Sequence, residues 1–313
     1  MRRYDHDPAD PGRREALSCV AWAGSGLLWT MSGGLASSVL ATGAEAAPRA
    51  GELDFVQISD THVGFDKAAN PDALGTLREA IARINALPRR PAFAVHTGDI
   101  THLSKAEQFD TADQMLKGLN MPVLFTPGEH DTMDEGQGKL FLDRHGAGTK
   151  GTGWRSFDAA GVHFVGLVNV VNLNPNGAGR LGDDQIAWLE DDIAGLSSST
   201  PVVVYAHMPL FDVYDPWGWS TSDAAAALEP LRRFGSVTVL NGHIHQVISK
   251  TEGGIVFHTA RSTAFPQAAP GQQGMTPGPM KVAADQLRSV LGVREVRRIA
   301  ARGPLAVVDQ TLA

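Results

Sequence analysis

Five short apolar runs of this sequence each end at or just before a histidine or an acidic residue. The runs are "LDFVQIS" (53–59), "AFAVHTG" (92–98), "PVLFT" (122–126), "PVVVYAH" (201–207) and "SVTVLNG" (236–242). Their length and their β-branched residues predict strands, and the amphipathic stretches between them predict helices. This alternation indicates an α/β fold with mixed sheets that helices cover from outside.

Turn signals and helical periodicity predict the remaining elements. Ser104 and Glu107 form a capping-box pattern for a helix that runs to about Gly118. The segment "WRSFDAAGVHFVGLV" (154–168) predicts a hairpin that turns at 159–161. Further helices are expected at 71–87, after a cap at Asp183 or Asp184, and at about 223–234, with strands at 246–252, 254–260 and 303–312. Residues 265–280 are rich in Pro, Gly and Gln, and predict a long surface loop.

The first 47 residues differ in composition from the rest of the chain. Arg13 and Arg14 precede 29 uncharged residues, 16–44, and residues 44–47 offer an A-x-A cleavage site. This order predicts an export signal, and the "RREAL" start resembles signals of the twin-arginine export machinery, which carries folded proteins. The alternative is an uncleaved membrane anchor, because 29 uncharged residues can span a bilayer.

We therefore expect a periplasmic or secreted protein with no membrane span after cleavage and one domain at 51–313. Cys19 is the one cysteine of the sequence and lies in the predicted signal, so ligands for a metal must be His, Asp, Glu or Asn. The formal net charge is −7, and no stripe of basic residues indicates a nucleic-acid polymer as partner.

The polar residues that follow the five apolar runs indicate a metal site. They are Asp60, His62, Asp99, Glu129, His130, Asp131, His207, His243 and His245. Ligands of open α/β sheets bind at the carboxyl ends of strands, where the loops converge. Two ligand pairs are spaced two residues apart, so on extended backbone both members point to one face. His and carboxylate ligands suit Mn, Fe or Zn, and their number suits two divalent ions.

The motifs "DTH" (60–62), "GD" (98–99), "GEHD" (128–131), a lone His207 and "GHIH" (242–245) occur in that order. They resemble the calcineurin-like metallophosphoesterase superfamily, whose pattern is D-x-H, G-D, G-N-H-[DE], H and G-H-x-H. The resemblance covers about 53–260 and is nearest to the branch of cyclic-nucleotide and related phosphodiesterases. It implies a four-layer αββα sandwich of two mixed β-sheets flanked by helices.

The resemblance also implies a role for each residue of the pattern. A first ion is held by Asp60, His62 and His245, a second ion by His207 and His243, and Asp99 bridges the two. His130 is then the non-ligand histidine that orients the phosphate or protonates the leaving oxygen, with Asp131 fixing its tautomer. The nucleophile implied is a hydroxide that bridges the metals.

Glu129 departs from the family pattern, which has asparagine as a neutral ligand of the second metal. The additional carboxylate makes the site less positive, so we expect it to attract a dianionic monoester less, or to favour a trivalent or more tightly held metal. His102 also departs from a pattern, since purple acid phosphatases usually have tyrosine three residues after the Asp of G-D.

Three further residues are candidates for contact with a small phosphorylated substrate: His102, Trp217 and Trp219. The two tryptophans belong to "YDPWGWS" (214–220), and a second loop, "NLNPNGAGR" (172–180), is a candidate cap over the site. His96 and His258 lie inside predicted strands instead, where hydrogen bonding in the core is expected.

The function expected from these residues is an exported, dinuclear-metal phosphoesterase that favours phosphodiesters. A phosphomonoesterase or nucleotidase, and a phosphodiesterase acting on lipid head groups, are alternatives. A protein that binds metal and phosphoryl ligands without turnover is the non-enzyme alternative. The presence of both His130 and Asp131 argues against it.

Overall fold

The computed structural model of this chain describes residues 27–32, 35–40, 52–298 and 305–313. It divides into two compact units, 1–47 and 48–313. Within the first unit, strands β1 (Leu27–Ser32) and β2 (Leu35–Leu40) pair antiparallel. Most of the predicted export signal lies outside the described residues, so the signal and the domain boundary beside it stay predictions.

The first sheet of the second unit has five strands in the order β13-β12-β3-β4-β5. They are β3 (Leu53–Ile58), β4 (Ala94–Thr97), β5 (Val123–Thr126), β12 (Gly292–Arg298) and β13 (Leu305–Thr311). Strands β3, β4 and β5 run parallel, whereas β12 is antiparallel to both of its neighbours. The carboxyl ends of the three parallel strands therefore meet at one edge of the sheet.

The second sheet has six strands in the order β10-β11-β9-β8-β7-β6. They are β6 (Arg155–Ala159), β7 (Val162–Gly166), β8 (Val202–Ala206), β9 (Val237–Asn241), β10 (Ser249–Glu252) and β11 (Ile255–Thr259). Only the two edge strands, β6 and β10, pair antiparallel with their neighbours. The strand predictions, including the hairpin and the last strand, are confirmed.

Helices cover the outer face of each sheet. They are α1 (Ala73–Asn85), α2 (Ala106–Leu116), α3 (Lys139–His145), α4 (Asp183–Ile193), α5 (Ala224–Leu228) and α6 (Leu287–Val290). Within the described part of the chain, no helix combines the length and apolar character needed to cross a bilayer.

Successive side chains of a strand point to opposite faces of its sheet, and the apolar core is therefore divided into three layers. In β3, Val56 packs with the helices of the first sheet, whereas Phe55 faces the second sheet. Phe55 meets Phe164 of β7 edge to face, with ring centroids 5.2 Å apart. A separate cluster joins α4 and α5 to the far face of the second sheet. The expected αββα arrangement of two mixed sheets flanked by helices is confirmed.

Two predicted helix caps are wrong. Lys105 precedes α2, while Ser104 has a left-handed backbone with φ 52° and donates its hydroxyl to the Asp131 carbonyl oxygen. Gly182 precedes α4, so Asp183 and Asp184 both lie in the first turn of that helix and neither caps it. A tertiary hydrogen bond has displaced the local capping pattern at Ser104.

Two other local predictions need correction. The helix expected at 223–234 is divided into α5 and a 3₁₀ turn, Pro230–Arg233. Pro230 has no N–H with which to continue the α-helical hydrogen bonds. The loop at 265–280 is not wholly on the surface, because Phe265 and Gln267 are buried.

His96 makes the core hydrogen bond that its strand position predicts. Its Nε2–H donates to Thr61 Oγ1 (3.1 Å), because the Thr61 hydroxyl itself donates to the Ile100 carbonyl oxygen. Its Nδ1 is buried without a hydrogen-bond partner. Burial lowers the pKa of His96 to about 3, so the folded state holds this ring neutral.

Replacing His96 with Gln should therefore change the acid sensitivity of the fold. The unfolded chain takes up a proton below its ordinary pKa near 6.5, whereas the folded chain does so only near 3, so stability falls with decreasing pH across that window. The free energy of unfolding of wild type should fall by about 2–3 kcal/mol more than that of His96→Gln between pH 7 and 4.5. Urea unfolding in chelator at both pH values measures this, and an equal fall would contradict it.

Candidate metal centre

The strand ends of both sheets bring the predicted metal ligands together. The first sheet supplies Asp60 and His62 after β3, Asp99 after β4 and Glu129 after β5. The second sheet supplies His207 after β8, and His243 and His245 after β9. Two groups with ligand atoms within 4.8 Å of one another result: Asp60, His62, Asp99 and His245, and Glu129, His207 and His243.

Five of these seven residues have a left-handed backbone. Their φ values are 53° at Asp60, 40° at His62, 53° at Asp99, 69° at His243 and 55° at His245. The pairs converge through this conformation, so the expectation that each lies on extended backbone is wrong. Such φ values cost about 1 kcal/mol or more each and persist where the surroundings impose them, typically at functional sites.

The first group surrounds a point where lone pairs converge. His62 Nε2 lies 3.4 Å from Asp99 Oδ2 and 3.3 Å from His245 Nε2. His245 Nε2 lies 3.2 Å from Asp60 Oδ1, while its Nδ1–H donates to the Phe265 carbonyl oxygen (2.6 Å). That hydrogen bond leaves the Nε2 lone pair directed into the group, as a metal ligand requires.

The second group has the same organisation. His207 donates its Nδ1–H to the Thr97 carbonyl oxygen (2.7 Å), and its Nε2 lies 2.7 Å from Glu129 Oε2. His243 Nδ1 lies 2.9 Å from Glu129 Oε1. Asp99 Oδ2 is 3.4 Å from both His62 Nε2 and His207 Nε2, so it lies between the two groups.

The donor atoms of these residues fit bound cations. Asp60 Oδ2, Glu129 Oε2, His207 Nε2 and His243 Nδ1 are buried atoms without a hydrogen-bond partner. Their close approaches lack hydrogen-bond geometry, and unpaired buried polar atoms are unfavourable unless a ligand completes them. Nitrogen and carboxylate donors in this number suit divalent transition metals.

The electrostatics of the site also favour positive charge. Burial lowers the pKa of His207, but Asp99 and Glu129 outweigh it and raise that pKa well above its ordinary value. Burial, together with His130 and His245, holds the pKa of His62 well below its usual range, so His62 is neutral and suited to ligation.

The predicted role of Asp131 is wrong. Its carboxylate accepts the backbone N–H groups of Ile100, Thr101 and Gly128 at 2.8–3.0 Å, so it anchors the loop after β5 to the loop after β4. The ring of His130 instead donates its Nδ1–H to the His102 carbonyl oxygen (2.6 Å). That carbonyl fixes the His130 tautomer. Neither the residue spacing nor the motif indicated it.

A cavity of about 330 Å³ opens beside the two groups and is lined by His62, His102, His130 and other residues of the centre. Much of the remaining lining is apolar, and we call Leu173, Met208, Trp217, Phe265 and Pro277 the apolar wall. Trp219 also lines the cavity but is only 1% exposed. Among the described lining residues none is lysine or arginine.

Sequence reasoning placed both tryptophans and the 172–180 loop at this site, but missed Met208, Phe265 and Gln267. Gln267 donates its Nε2–H to the His243 carbonyl oxygen (2.6 Å), and its Oε1 accepts the Gly278 N–H (2.8 Å). The side chain of Gln267 thus connects the 265–280 loop, which lines part of the cavity, to the loop that carries His243. A Pro-, Gly- and Gln-rich composition carries no signal for such a contact.

Gly128 allows Asp99 to approach the loop after β5. A Cβ at Gly128 would lie 2.1 Å from Asp99 Oδ1, although its φ of −98° is open to any residue. Gly128→Ala should therefore displace Asp99 and lower metal content after loading by at least one ion per chain, as measured by elemental analysis. Gly195→Ala is the matched control, because a Cβ there meets no atom within 4 Å. Equal metal content in the two variants would contradict the steric argument.

Residues 53–247, more than half of the chain, match the family described as calcineurin-like phosphoesterase. A probable cyclic nucleotide phosphodiesterase of Rhodopseudomonas palustris is 28% identical over 229 residues, which cover 68% of this chain and 78% of the relative. A glycerophosphodiester phosphodiesterase of Enterobacter lignolyticus is 27% identical over 210 residues, covering 62% of this chain and 71% of the relative.

The fold is similar to that of a dimetal phosphatase from Danio rerio, with a TM-score of 0.60 and 16% identity over 82% of this chain and 98% of that chain. A purple acid phosphatase of yellow lupin gives a TM-score of 0.62 at 14% identity, over 86% of this chain and 53% of that chain. The relatives are named phosphodiesterases and phosphatases, which is consistent with a metal-dependent phosphoric ester hydrolase. The chain belongs to the calcineurin-like phosphoesterase family.

Proposed function

We propose that this protein is a dinuclear-metal phosphodiesterase that hydrolyses small phosphodiesters carrying an apolar ester group. The observation that carries the proposal is the composition of the cavity lining. Two ligand groups, with Asp99 lying between them, adjoin a cavity that also contains the apolar wall, and the described lining residues include no lysine or arginine.

The ligand groups support two metal positions. Asp60, His62 and His245 are assigned to the first ion and Glu129, His207 and His243 to the second, with Asp99 bridging them. Paired Mn, Fe or Zn ions would activate water near neutral pH and polarise the phosphoryl oxygens. The protein's own contribution is to fix the donors, since His207 and His245 are each held by a backbone carbonyl.

His130 is assigned to the substrate and not to a metal. The His102 carbonyl oxygen holds its Nδ1–H, which leaves Nε2 for a phosphate or leaving-group oxygen in the adjoining cavity. In this position it would hydrogen-bond the phosphate or transfer a proton to the departing oxygen. Asp131 is assigned a positioning role through the three backbone groups that it accepts.

The charge of the site favours a diester over a monoester. Asp60, Asp99 and Glu129 supply three carboxylates, one more than a site with asparagine at position 129 would have. A diester has one negative charge, whereas a monoester has nearly two at neutral pH and would need more positive charge than this cavity offers. The relatives from Rhodopseudomonas palustris and Enterobacter lignolyticus are also named as phosphodiesterases.

The apolar wall is a fixed surface, and it is assigned to the apolar ester group of the substrate. The Gly179 N–H donates to the Ser220 carbonyl oxygen (2.9 Å), joining the loops that carry Leu173 and Trp217. Trp217 packs edge to face on Trp219 (4.9 Å), whose ring lies 6.3 Å from that of His243. Trp219 thus supports Trp217, and the half-exposed Trp217 ring is available to a planar or apolar group.

The function is tested with protein reloaded separately with Mn, Fe and Zn. Bis(4-nitrophenyl) phosphate should be hydrolysed with a higher kcat/KM than 4-nitrophenyl phosphate, while cyclic nucleotides and a phosphocholine ester probe the natural class. Preference for the monoester would support the phosphatase or nucleotidase alternative, and preference for the phosphocholine ester the lipid head-group alternative. If two ions are bound but no substrate is hydrolysed, the result would support the alternative of a protein that binds metal and phosphoryl ligands without turnover.

His130→Ala separates chemistry from metal binding in the same assay. Loss of general-acid catalysis should lower kcat on about the 10²–10⁴-fold scale while both ions remain bound. Unchanged turnover would reject the role given to His130.

Glu129→Asn should raise activity on monoesters relative to diesters, by on the order of tenfold in the ratio of kcat/KM values. The variant removes one negative charge beside the phosphate and restores the neutral ligand of the family pattern. Glu190→Asn is the control, because Glu190 carries the same charge on an exposed position of α4. An unchanged ratio would show that Glu129 does not set the charge seen by the substrate.

The proposal includes export. Arg13 and Arg14, the uncharged stretch 16–44 and the A-x-A site at 44–47 support a cleaved twin-arginine signal and a periplasmic or secreted enzyme. Export is tested by determining the amino terminus of the protein after expression in a host that has the twin-arginine machinery and in a strain that lacks it. An intact amino terminus in the membrane fraction would support the anchor alternative.

A further inference from the structure

We propose that the side chain of His102 positions His62, and through it the first metal ion, instead of binding the substrate. The proposal rests on the assignment of His62 as a metal ligand. It replaces the expectation that His102 contacts a substrate phosphate. It also gives a purpose to a histidine that lies outside the motif pattern, three residues after Asp99.

The two rings meet through their Nδ1 atoms, which lie 3.4 Å apart in a hydrogen bond. His62 Nε2 faces Asp99 and His245, and must present a lone pair to bind a cation there. A neutral imidazole carries one N–H, so the proton of His62 lies on Nδ1. His62 therefore donates, and His102 Nδ1 accepts.

The other ligands with a fixed ring use a different acceptor. His207 donates to the carbonyl oxygen of Thr97 and His245 to that of Phe265. The Nδ1 atom of His62 instead hydrogen-bonds a side chain, that of His102. The ring of His102 thus occupies the place that a backbone carbonyl occupies beside the other two histidines. Such outer partners orient the ligand and raise its basicity.

The position of His102 is itself fixed. Its N–H donates to the Val63 carbonyl oxygen (3.0 Å), and its own carbonyl accepts from His130 (2.6 Å). Its ring stacks on that of His130, with centroids 5.1 Å apart and planes inclined by 15°. Phe65 packs edge to face with the same ring, with centroids 5.1 Å apart and planes inclined by 88°. One residue therefore orients His62 through its side chain and His130 through its backbone.

These two contacts can be separated by mutation. A change of side chain removes the acceptor for His62 but leaves the backbone carbonyl that holds His130. His102→Asn keeps an acceptor, because Asn Oδ1 sits at the same branch position as His Nδ1. His102→Leu has a similar branched shape and no acceptor. His258→Leu is the matched control, since His258 is a half-buried histidine in β11 that hydrogen-bonds Ser249 outside the site.

The first readout is metal binding, measured by titration of Zn²⁺ or Mn²⁺ into full-length protein against a chelator of known affinity. His102→Leu should lose about 10–100-fold in affinity for one of two ions, whereas His102→Asn should stay within about threefold of wild type. His258→Leu should bind both ions as wild type does. Thermal unfolding of all variants identifies any that fail to fold, and the Asn variant still tests the acceptor in that case.

The second readout is the Nδ1–H proton of His62 in Co²⁺-loaded protein. A ligand N–H that is held by an acceptor gives a slowly exchanging, hyperfine-shifted proton signal. Wild type and His102→Asn should show it, and His102→Leu should lose it to solvent exchange. Both readouts are independent of substrate, so they hold even if the diester assignment fails.

Three results would overturn the proposal. In the first, His102→Leu keeps wild-type metal affinity and the N–H signal. In the second, the Asn and Leu variants lose affinity equally, which would assign the loss to packing. In the third, His102→Leu raises KM without any change in metal binding, which would restore the substrate-contact role. Failure of wild type to bind metal would remove the proposed function together with this inference.

Discussion

The crowding of carboxylates is the constraint on which the rest of the site depends. Asp60 and Asp99 are fully buried and Glu129 is half-buried, all at the point where the loops of two sheets meet. Like charges in a poorly hydrated place repel one another and are unfavourable unless cations or hydrogen-bond donors neutralise them. The backbone amides of His130 and His243 donate to Asp99 and Asp60, but buried carboxylate atoms remain without partners. The surrounding histidines and the left-handed backbones are consistent with a site formed around positive charge.

The sequence allowed an α/β class with mixed sheets and a set of candidate ligands to be predicted because both depend on local regularities, whereas the four-layer αββα arrangement followed from the family resemblance. A parallel strand is an apolar run, and the side chain after it lies at the edge where ligands bind. The residues from Asp60 to His245 were therefore identified without knowledge of how the sheets pack. The branch of the family, the substrate and the metals do not follow from such regularities.

Two of the errors, at Ser104 and at Asp131, share one physical cause, which is that a tertiary partner replaced the local one. Ser104 has the sequence context of a cap, but its hydroxyl reaches Asp131, 27 residues away. Asp131 follows His130 directly, but its carboxylate is taken by backbone amides of another loop. The apolar wall likewise combines residues such as Leu173 and Pro277 that are distant in sequence. Contacts of this kind arise from packing, which residue spacing does not encode.

The division of ligands between the sheets has a mechanical consequence. Asp60 and His62 come from the first sheet and His245 from the second, while Glu129 comes from the first and His207 from the second. Each proposed ion would therefore be a cross-link between the two halves of the sandwich, in addition to the apolar contacts and the hydrogen bonds, such as Gln57 to Asn241 and His207 to Thr97, that already join them. Separation of the sheets and release of metal would then be one event, so the lifetime of the bound ions and the resistance of the sandwich to opening would be governed by the same barrier.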